Sequence, residues 1–207
     1  MKIYAMSLAL YSSVLSVACS QPNSPRLVGT CEGCEAIFEY GDRQLTTSDT
    51  LSDYHENGTK LKIYGTVYRP DGFTPAADVI LYFYHTNSKG IYENKYQRQN
   101  WERRHGYIRG WIKTDQSGKY SIYTTVPGSY PNRSEPAHIH VTVLEPDGRY
   151  YWLDSFYFAG DPLLNGNELS KSSVRGGAPN IMSLISERDL MVGKRDIILG
   201  ANVEDYK

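Results

Sequence analysis

The sequence has few of the residues that several common classes of protein require. Its 207 residues include only three cysteines, and 22 Lys and Arg against 23 Asp and Glu give a formal net charge of −1. Nothing in this charge balance indicates binding to nucleic acid. The pair Cys31 and Cys34 has no second pair to complete a structural zinc site. Internal repeats and low-complexity tracts are also absent, so one globular domain with its own apolar core is expected.

No apolar run is long enough to be a confident membrane span. Lys2 precedes a Ser-interrupted apolar stretch that ends at Ala18, which is typical of an export signal over residues 1–18. Ser16-Val-Ala18 would suit ordinary signal peptidase, whereas Leu15 to Cys19 resembles a bacterial lipoprotein box. We favour lipidation of Cys19, because a Ser/Pro/Asn-rich tether follows it. The protein is therefore expected to be exported, and to be periplasmic or anchored by lipid so that it faces the periplasm or the cell surface.

The remaining cysteines stand close together as Cys31-Glu-Gly-Cys34. In an exported protein they would meet an oxidising compartment, so a local disulfide is predicted. A redox motif is the alternative, but no βαβ pattern surrounds the pair. We interpret residues 19–59 as an N-terminal tether and loop segment that the disulfide braces.

Tyrosine is abundant, with 18 residues against 5 phenylalanines. From residue 60 onward, β-branched and aromatic runs alternate with Gly/Pro turns, which predicts an all-β domain, an antiparallel β-sandwich, over residues 60–207. The strands are expected at 61–68, 78–85, 107–114, 119–126, 137–144, 149–158 and 190–199. Turns at 115–118 and 145–148 are expected to close two hairpins. A long polar loop at 87–105 interrupts the strands and has the length of a functional loop.

Two histidines lie two residues apart on one predicted strand. His138 and His140 would leave the same face of the sheet, which is the geometry of a two-nitrogen metal clamp. Such a pair is also often only a polar stripe. Tyr130 lies eight residues before His138 in a Pro-Gly-Ser-Tyr-Pro turn, and phenolate oxygen can bind iron. Tyr130 could equally be a simple turn residue.

Several short blocks resemble, in order, those of the intradiol ring-cleavage dioxygenases of the catechol and protocatechuate type. The blocks are Tyr84 to Tyr92, Arg109-Gly, Thr114 to Tyr120, Thr125 to Tyr130 and Pro136-Ala-His-Ile-His140, and the resemblance as a whole covers roughly residues 60 to 162. The resemblance implies a β-sandwich fold with long active-site loops. It also implies an oxidoreductase that uses O2 to open a catechol ring between its two hydroxylated carbons.

The resemblance further implies a ferric ion, Fe(3+), bound by Tyr92, Tyr130, His138 and His140. Two phenolates and two neutral imidazoles form a doubly negative donor set, which favours Fe(III) over Fe(II). Tyr130 would be the ligand that leaves when substrate binds, and it would take up a substrate proton. The partners are then a catechol-type substrate and O2, with no organic cofactor, and the oligomeric state stays open.

Two positions depart from the family's pattern. Glu135 stands where typical members have an arginine that stabilises negative charge on the activated substrate, and reversed charge there would oppose it. Arg109 and Arg133 are the nearby cations expected to substitute for this arginine. Ser155 stands where typical catechol enzymes have a glutamine. The N-terminal helical dimerisation region of the larger members also has no counterpart in residues 20–60.

Two other hypotheses are kept. His138, His140 and Glu145 imitate the first motif of a cupin-type Fe(II) or Mn(II) site, although no histidine follows His140 to complete it. Alternatively, the chain is a non-catalytic β-sandwich lipoprotein that binds iron or aromatic ligands without turnover. Glu135 is the main argument for this second hypothesis.

Overall fold

The computed structural model of the chain describes residues 24–169, 171–177 and 179–207. The export signal predicted for residues 1–18 and the lipidation predicted at Cys19 lie outside the described residues. In the described ranges, no helix combines the length and the apolar character needed to cross a membrane.

The described part of the chain is built mainly from short strands. The strands are β1 (Arg26–Leu27), β2 (Ser48–Thr50), β3 (Lys60–Tyr68), β4 (Ile80–Tyr84), β5 (Arg109–Lys113), β6 (Lys119–Thr125), β7 (His138–Leu144), β8 (Arg149–Phe158), β9 (Ile181–Met182), β10 (Ile185–Glu187), β11 (Leu190–Lys194) and β12 (Ile197–Ile198). The helices are a 3-10 helix (Cys34–Tyr40), α1 (Glu102–His105) and α2 (Gly166–Leu169).

The strands form two sheets, which confirms the predicted β-sandwich. The first sheet has the order β1-β8-β7-β4-β5, with β9 also paired to β8. The second has the order β10-β11-β3-β6-β2, with β12 also paired to β3. The central pairs are antiparallel, but β1, β2, β9, β11 and β12 each join a neighbour in parallel. The sheets are therefore mixed rather than purely antiparallel.

The hairpin predicted around residues 115–118 is wrong. β5 pairs with β4 in the first sheet, whereas β6 pairs with β3 in the second. The turn therefore carries the chain from one sheet to the other, since a tight turn in a sandwich does not specify whether its two strands pair. The hairpin around residues 145–148 is confirmed, because β7 and β8 pair antiparallel. The last predicted strand is divided into β11 and β12.

The main core lies between the two sheets. Alternate residues of β4 and β7 face it, such as Leu81, Phe83, Ile139 and Val141, and each is at most 1% exposed. Complete burial of side chains of this size contributes about 1.5–3 kcal/mol each. Because side chains alternate along a strand, His138 and His140 must then project from the opposite face of the first sheet.

A second, smaller apolar cluster covers part of this opposite face. Cys34, Ala36 and Ile37 of the 3-10 helix pack against Tyr82 of β4 and Trp111 of β5. The segment before residue 60, predicted as tether and loop, thus also contributes this helix together with β1 and β2. It forms a third layer beside the histidines.

Candidate functional site

His138 and His140 point to the same side of β7, as predicted, and their Nε2 atoms lie 3.0 Å apart. Residues 154 and 155 of β8 together face the single residue His140, because the register shifts between Ile139 and Val141. A β-bulge of this kind redirects a side chain. Here it brings Ser155 Oγ to 3.3 Å from His140 Nδ1.

The two tyrosines come from loops that lock against each other. The Gly128 N–H donates to the Asn87 carbonyl at 3.0 Å, so the loop of Tyr130 is tied to the loop of Tyr92. Gly90 has φ +76°, and a Cβ built on it would lie 1.9 Å from the carbonyl oxygen of Ser129. Only glycine allows this approach, so Gly90 keeps the two loops in register.

The four predicted ligand atoms meet in a closed ring of short distances. Tyr92 Oη lies 3.1 Å from Tyr130 Oη and 2.9 Å from His140 Nε2, and Tyr130 Oη lies 3.3 Å from His138 Nε2. Whether four such atoms form a square or a tetrahedron, their common centre is about 2 Å from each, which is a metal–nitrogen or metal–oxygen bond length. The donor set therefore fits one metal ion.

The second nitrogen of each imidazole is already engaged. His138 Nδ1 lies 2.7 Å from the Pro136 carbonyl, to which it donates, and His140 Nδ1 faces Ser155 Oγ. The Pro136 carbonyl can only accept, so it sets the tautomer that leaves the His138 Nε2 lone pair free. The Ser155 hydroxyl can accept from His140 Nδ1, which is compatible with the same tautomer of His140.

Burial controls the protonation of the donors. It raises the pKa of Tyr92, which the hydrogen bond with Tyr130 raises further, and it also raises the pKa of Tyr130. It lowers the pKa of His140 well below its usual value, with His138 adding to this effect. Neutral imidazoles are what a metal requires, whereas the phenols would need a strongly charged cation to ionise them at neutral pH.

In the described ranges, no three His, Cys, Asp or Glu side chains cluster so that they could hold a metal ion. A metal at this place would thus depend on the tyrosine oxygens. The cupin hypothesis is not supported, because Glu145 accepts a 2.8 Å hydrogen bond from Tyr151 and pairs with Arg149. Glu145 is buried and partnered beyond the end of β7, away from the histidines.

The structure does not bring the two predicted catalytic arginines to the four donors. Arg109 is buried, forms a 2.7 Å ion pair with Glu39 and packs over Trp111. Arg133 is exposed, with φ +54°. Among the described side chains, neither guanidinium bonds to any of the four donor atoms, so the predicted role of these arginines in charge stabilisation lacks structural support. Glu135 is nearer, with Oε2 at 3.8 Å from His138 Nε2.

A stack of rings supports His140 from behind. The His140 ring lies 4.5 Å from that of Tyr84, which lies 3.9 Å from that of His105, and Trp101 continues the stack at 5.2 Å. His105 Nδ1 also pairs with Tyr82 Oη at 2.9 Å. Sequence analysis missed the role of Tyr84, whose only signal was its place in the first block of the resemblance.

The predicted disulfide between Cys31 and Cys34 is present, with a Cα–Cα distance of 5.8 Å. The loop that it closes forms one wall of a cavity of about 360 Å³. The other walls include Tyr84, His140, Trp152 and Ser155. The cavity thus lies directly beside one of the four donors.

Comparison with known proteins identifies the family of this chain. The family model described as "Dioxygenase" matches residues 38–198. Catechol 1,2-dioxygenase 1 of Acinetobacter lwoffii is 30% identical over 125 residues, which are 53% of this chain and 39% of the relative. The protocatechuate 3,4-dioxygenase beta chain of Burkholderia cepacia is 24% identical over 68% of this chain and 62% of its own length. The chain thus spans less than two thirds of the length of either relative.

The fold is shared with a solved structure. The dioxygenase domain of a dioxygenase and carbohydrate-binding protein fusion from Streptomyces sp. SirexAA-E has a TM-score of 0.56 at 22% identity. The similarity covers 78% of this chain and 95% of that domain. At this identity the match supports the sandwich alone.

Proposed function

This chain belongs to the intradiol ring-cleavage dioxygenase family, and we propose that it is an iron-dependent oxidoreductase acting on a catecholic compound. It would insert both atoms of O2 and open the ring between the two hydroxylated carbons. The observation that carries this proposal is the convergence of Tyr92, Tyr130, His138 and His140, whose donor atoms lie 2.9–3.3 Å from their neighbours.

We assign the four side chains as ligands of Fe(3+). The two phenolates and two imidazoles combine hard anionic oxygen with neutral nitrogen, which suits a trivalent ion. When bound, the ferric ion would act as a Lewis acid towards the two oxygens of a catechol. Pro136 O and Ser155 Oγ would hold the imidazoles in the required tautomer.

Tyr130 has a second role in this proposal. Its hydroxyl lies 3.1 Å from Tyr92 Oη and 3.3 Å from His138 Nε2, at the meeting point of the loop and strand donors. We assign Tyr130 Oη as the acceptor of one substrate hydroxyl proton, as the family resemblance implies. The cavity of about 360 Å³ beside His140 has room for one substituted aromatic ring.

The experiment is to load the purified protein with Fe(3+), record its visible spectrum and add a panel of catechols without oxygen. Admission of O2 should then consume one equivalent per catechol and yield a ring-opened dicarboxylic acid. Phenolate ligation should colour the loaded protein red to burgundy. A colourless protein that retains one iron per chain would reject the tyrosine ligands.

A second candidate function is binding of iron or an aromatic ligand without turnover. The position of Glu135 favours it, since a carboxylate 3.8 Å from His138 Nε2 would oppose negative charge on an activated substrate. A coloured protein that binds catechols but consumes no O2 with any of them would support this candidate instead.

We also propose that the protein is exported and anchored through a lipid on Cys19. The Cys31–Cys34 disulfide is consistent with an oxidising compartment. Growth with radiolabelled palmitate should label the wild-type protein and leave Cys19→Ala unlabelled. An unlabelled wild-type protein recovered without residues 1–18 would favour simple secretion.

A further inference from the structure

We propose that the site selects catechols with an ammonium substituent over catechols with a carboxylate, and that Glu135 makes this selection. This inference rests on the proposed function, because it assumes that a catechol binds where the four donors meet. It goes further in naming a class of substrate and a specificity-determining residue.

Glu135 is close enough to act on a ligand at that centre. Its Oε2 is 3.8 Å from His138 Nε2, which is one of the four donor atoms. The carboxylate side chain is 50% exposed, so a ligand that enters from solvent can reach it. A charged substituent would therefore interact with Glu135 in partly solvated surroundings, in which a single charge pair changes affinity by about tenfold.

The cations that could cancel this charge are engaged elsewhere. Arg109 is paired with Glu39, Arg104 with Glu32, and Lys171 with Asp154. Among the described residues, no ion pair with Lys or Arg involves Glu135. Arg133 is two residues away and exposed, and its contribution can be measured separately.

The carboxylate of Glu135 lies beside the donor atoms without a cationic partner. Its Oε2 is 3.8 Å from His138 Nε2, and no Lys or Arg of the described residues pairs with it. Its negative charge therefore acts at the place where a substrate would bind. A carboxylated catechol would meet repulsion there, whereas an alkylammonium catechol would be attracted.

The cavity beside His140 is also lined without a cationic side chain. Its lining includes Glu32 and the hydroxyl groups of Thr30, Thr142 and Ser155, and it contains no Lys or Arg. Glu32 is largely exposed and bound to Arg104, so it adds less than Glu135. The described walls therefore offer a carboxylate no cationic partner.

The test compares three catechols of similar size that carry a 2-aminoethyl, an ethyl or a carboxymethyl group at position 4. Each is titrated without oxygen into the iron-loaded protein, and Kd is obtained from the change in visible absorption. We expect the aminoethyl compound to bind about tenfold more tightly than the ethyl compound, and the carboxymethyl compound to bind most weakly. Oxygen uptake is recorded afterwards as a separate readout.

The variants then assign the effect to one residue. Glu135→Gln should reduce the ratio of the carboxymethyl and aminoethyl Kd values by at least tenfold, and Glu135→Arg should reverse the order. Glu187→Gln, which removes an exposed carboxylate of β10 on the other sheet, should leave the ratio unchanged. If Arg133 screens Glu135, Arg133→Ala should increase the ratio.

Two outcomes would overturn the inference: a wild-type protein that binds the carboxymethyl compound as tightly as the aminoethyl compound, or a ratio that survives Glu135→Gln. Failure of the proposed function has a different signature. In that case the Kd order and its dependence on Glu135 would hold while no catechol consumed O2.

Discussion

The two histidines and the two tyrosines of the site are held by different parts of the fold. His138 and His140 belong to β7, a central strand of the first sheet, and backbone pairing with β4 and β8 determines their positions. Tyr92 and Tyr130 lie in loops, and contacts between those loops determine theirs. Half of the donor set therefore depends on the sheet, and half depends on one loop packing against another.

The two halves of the donor set should therefore respond differently to mutation. The sheet can hold the imidazoles without the tyrosine loops, because every residue of β7 is paired in register with β4, with β8 or with both. The loops have no such ladder. A change at their point of contact should therefore destroy the site while the sandwich persists.

Gly90→Ala should have the largest effect. The added methyl would overlap the Ser129 carbonyl oxygen, and φ +76° is itself unfavourable for alanine. We expect a loss of about 3 kcal/mol in the free energy of unfolding, together with loss of bound iron and its colour. Denaturant unfolding and iron analysis measure the two effects.

Gly160→Ala is the matched control for Gly90→Ala. Gly160 also has a positive φ, +86°, but a Cβ there would meet nothing within 4 Å. It should cost about 1 kcal/mol and leave iron binding intact. Equal effects of the two substitutions would show that backbone strain, rather than contact between the loops, explains Gly90.

Tyr130→Phe tests a loop donor without disturbing the loop. The ring packing is retained and only the hydroxyl is lost, so Tyr92 and the two imidazoles should still bind one iron per chain. We expect a weaker visible band and turnover about 100-fold lower, because one phenolate and the proposed proton acceptor are removed. Tyr96→Phe, at an exposed tyrosine of the Tyr92 loop, should change neither property. Unchanged turnover in Tyr130→Phe would exclude Tyr130 from the reaction.

The same division explains what could be predicted from the sequence. The spacing of His138 and His140 specifies their common face wherever a strand forms, because side chains alternate with period two. Tyr130 was noticed from its turn eight residues before His138, whereas Tyr92 followed only from the family resemblance. The contact between Gly90 and Ser129 that joins their loops is a long-range backbone contact and has no local signal. No local sequence pattern indicates the third layer, which packs on Tyr82, or the β-bulge that positions Ser155. Glu135 was noticed as a departure, but its 3.8 Å approach to His138 required the fold.

The ring stack behind His140 should make stability depend on pH. His105 is buried against Tyr82, Tyr84 and Trp101, and burial, assisted by Arg109 and Arg104, lowers its pKa to about 4. The ordinary histidine pKa is about 6.5. As the pH falls from about 6.5 to about 4, the unfolded chain therefore binds a proton that the folded chain excludes, so stability is lost across this window, by about 3 kcal/mol.

His105→Gln isolates this contribution. Glutamine keeps a hydrogen-bonding group near Tyr82 Oη but does not titrate, so the free energy of unfolding should fall less steeply between pH 6.5 and 4 than in the wild type. Above pH 7 the difference between the two proteins should be independent of pH. Parallel curves throughout the window would show that His105 titrates in the folded protein as it does in the unfolded one.

Ser155→Ala should have the smallest effect. It tests how firmly the strands hold the histidine half of the donor set. Ser155 Oγ is 3.3 Å from His140 Nδ1, so its loss would free the ring from one restraint while the stack on Tyr84 remains. Loss of a hydrogen bond of this kind lowers metal affinity by about tenfold. Competition with a chelator measures the iron Kd, and Ser155→Thr, which keeps the hydroxyl, should restore most of the affinity. If alanine and threonine behave alike, the bulge positions His140 through the backbone and the stacked ring alone.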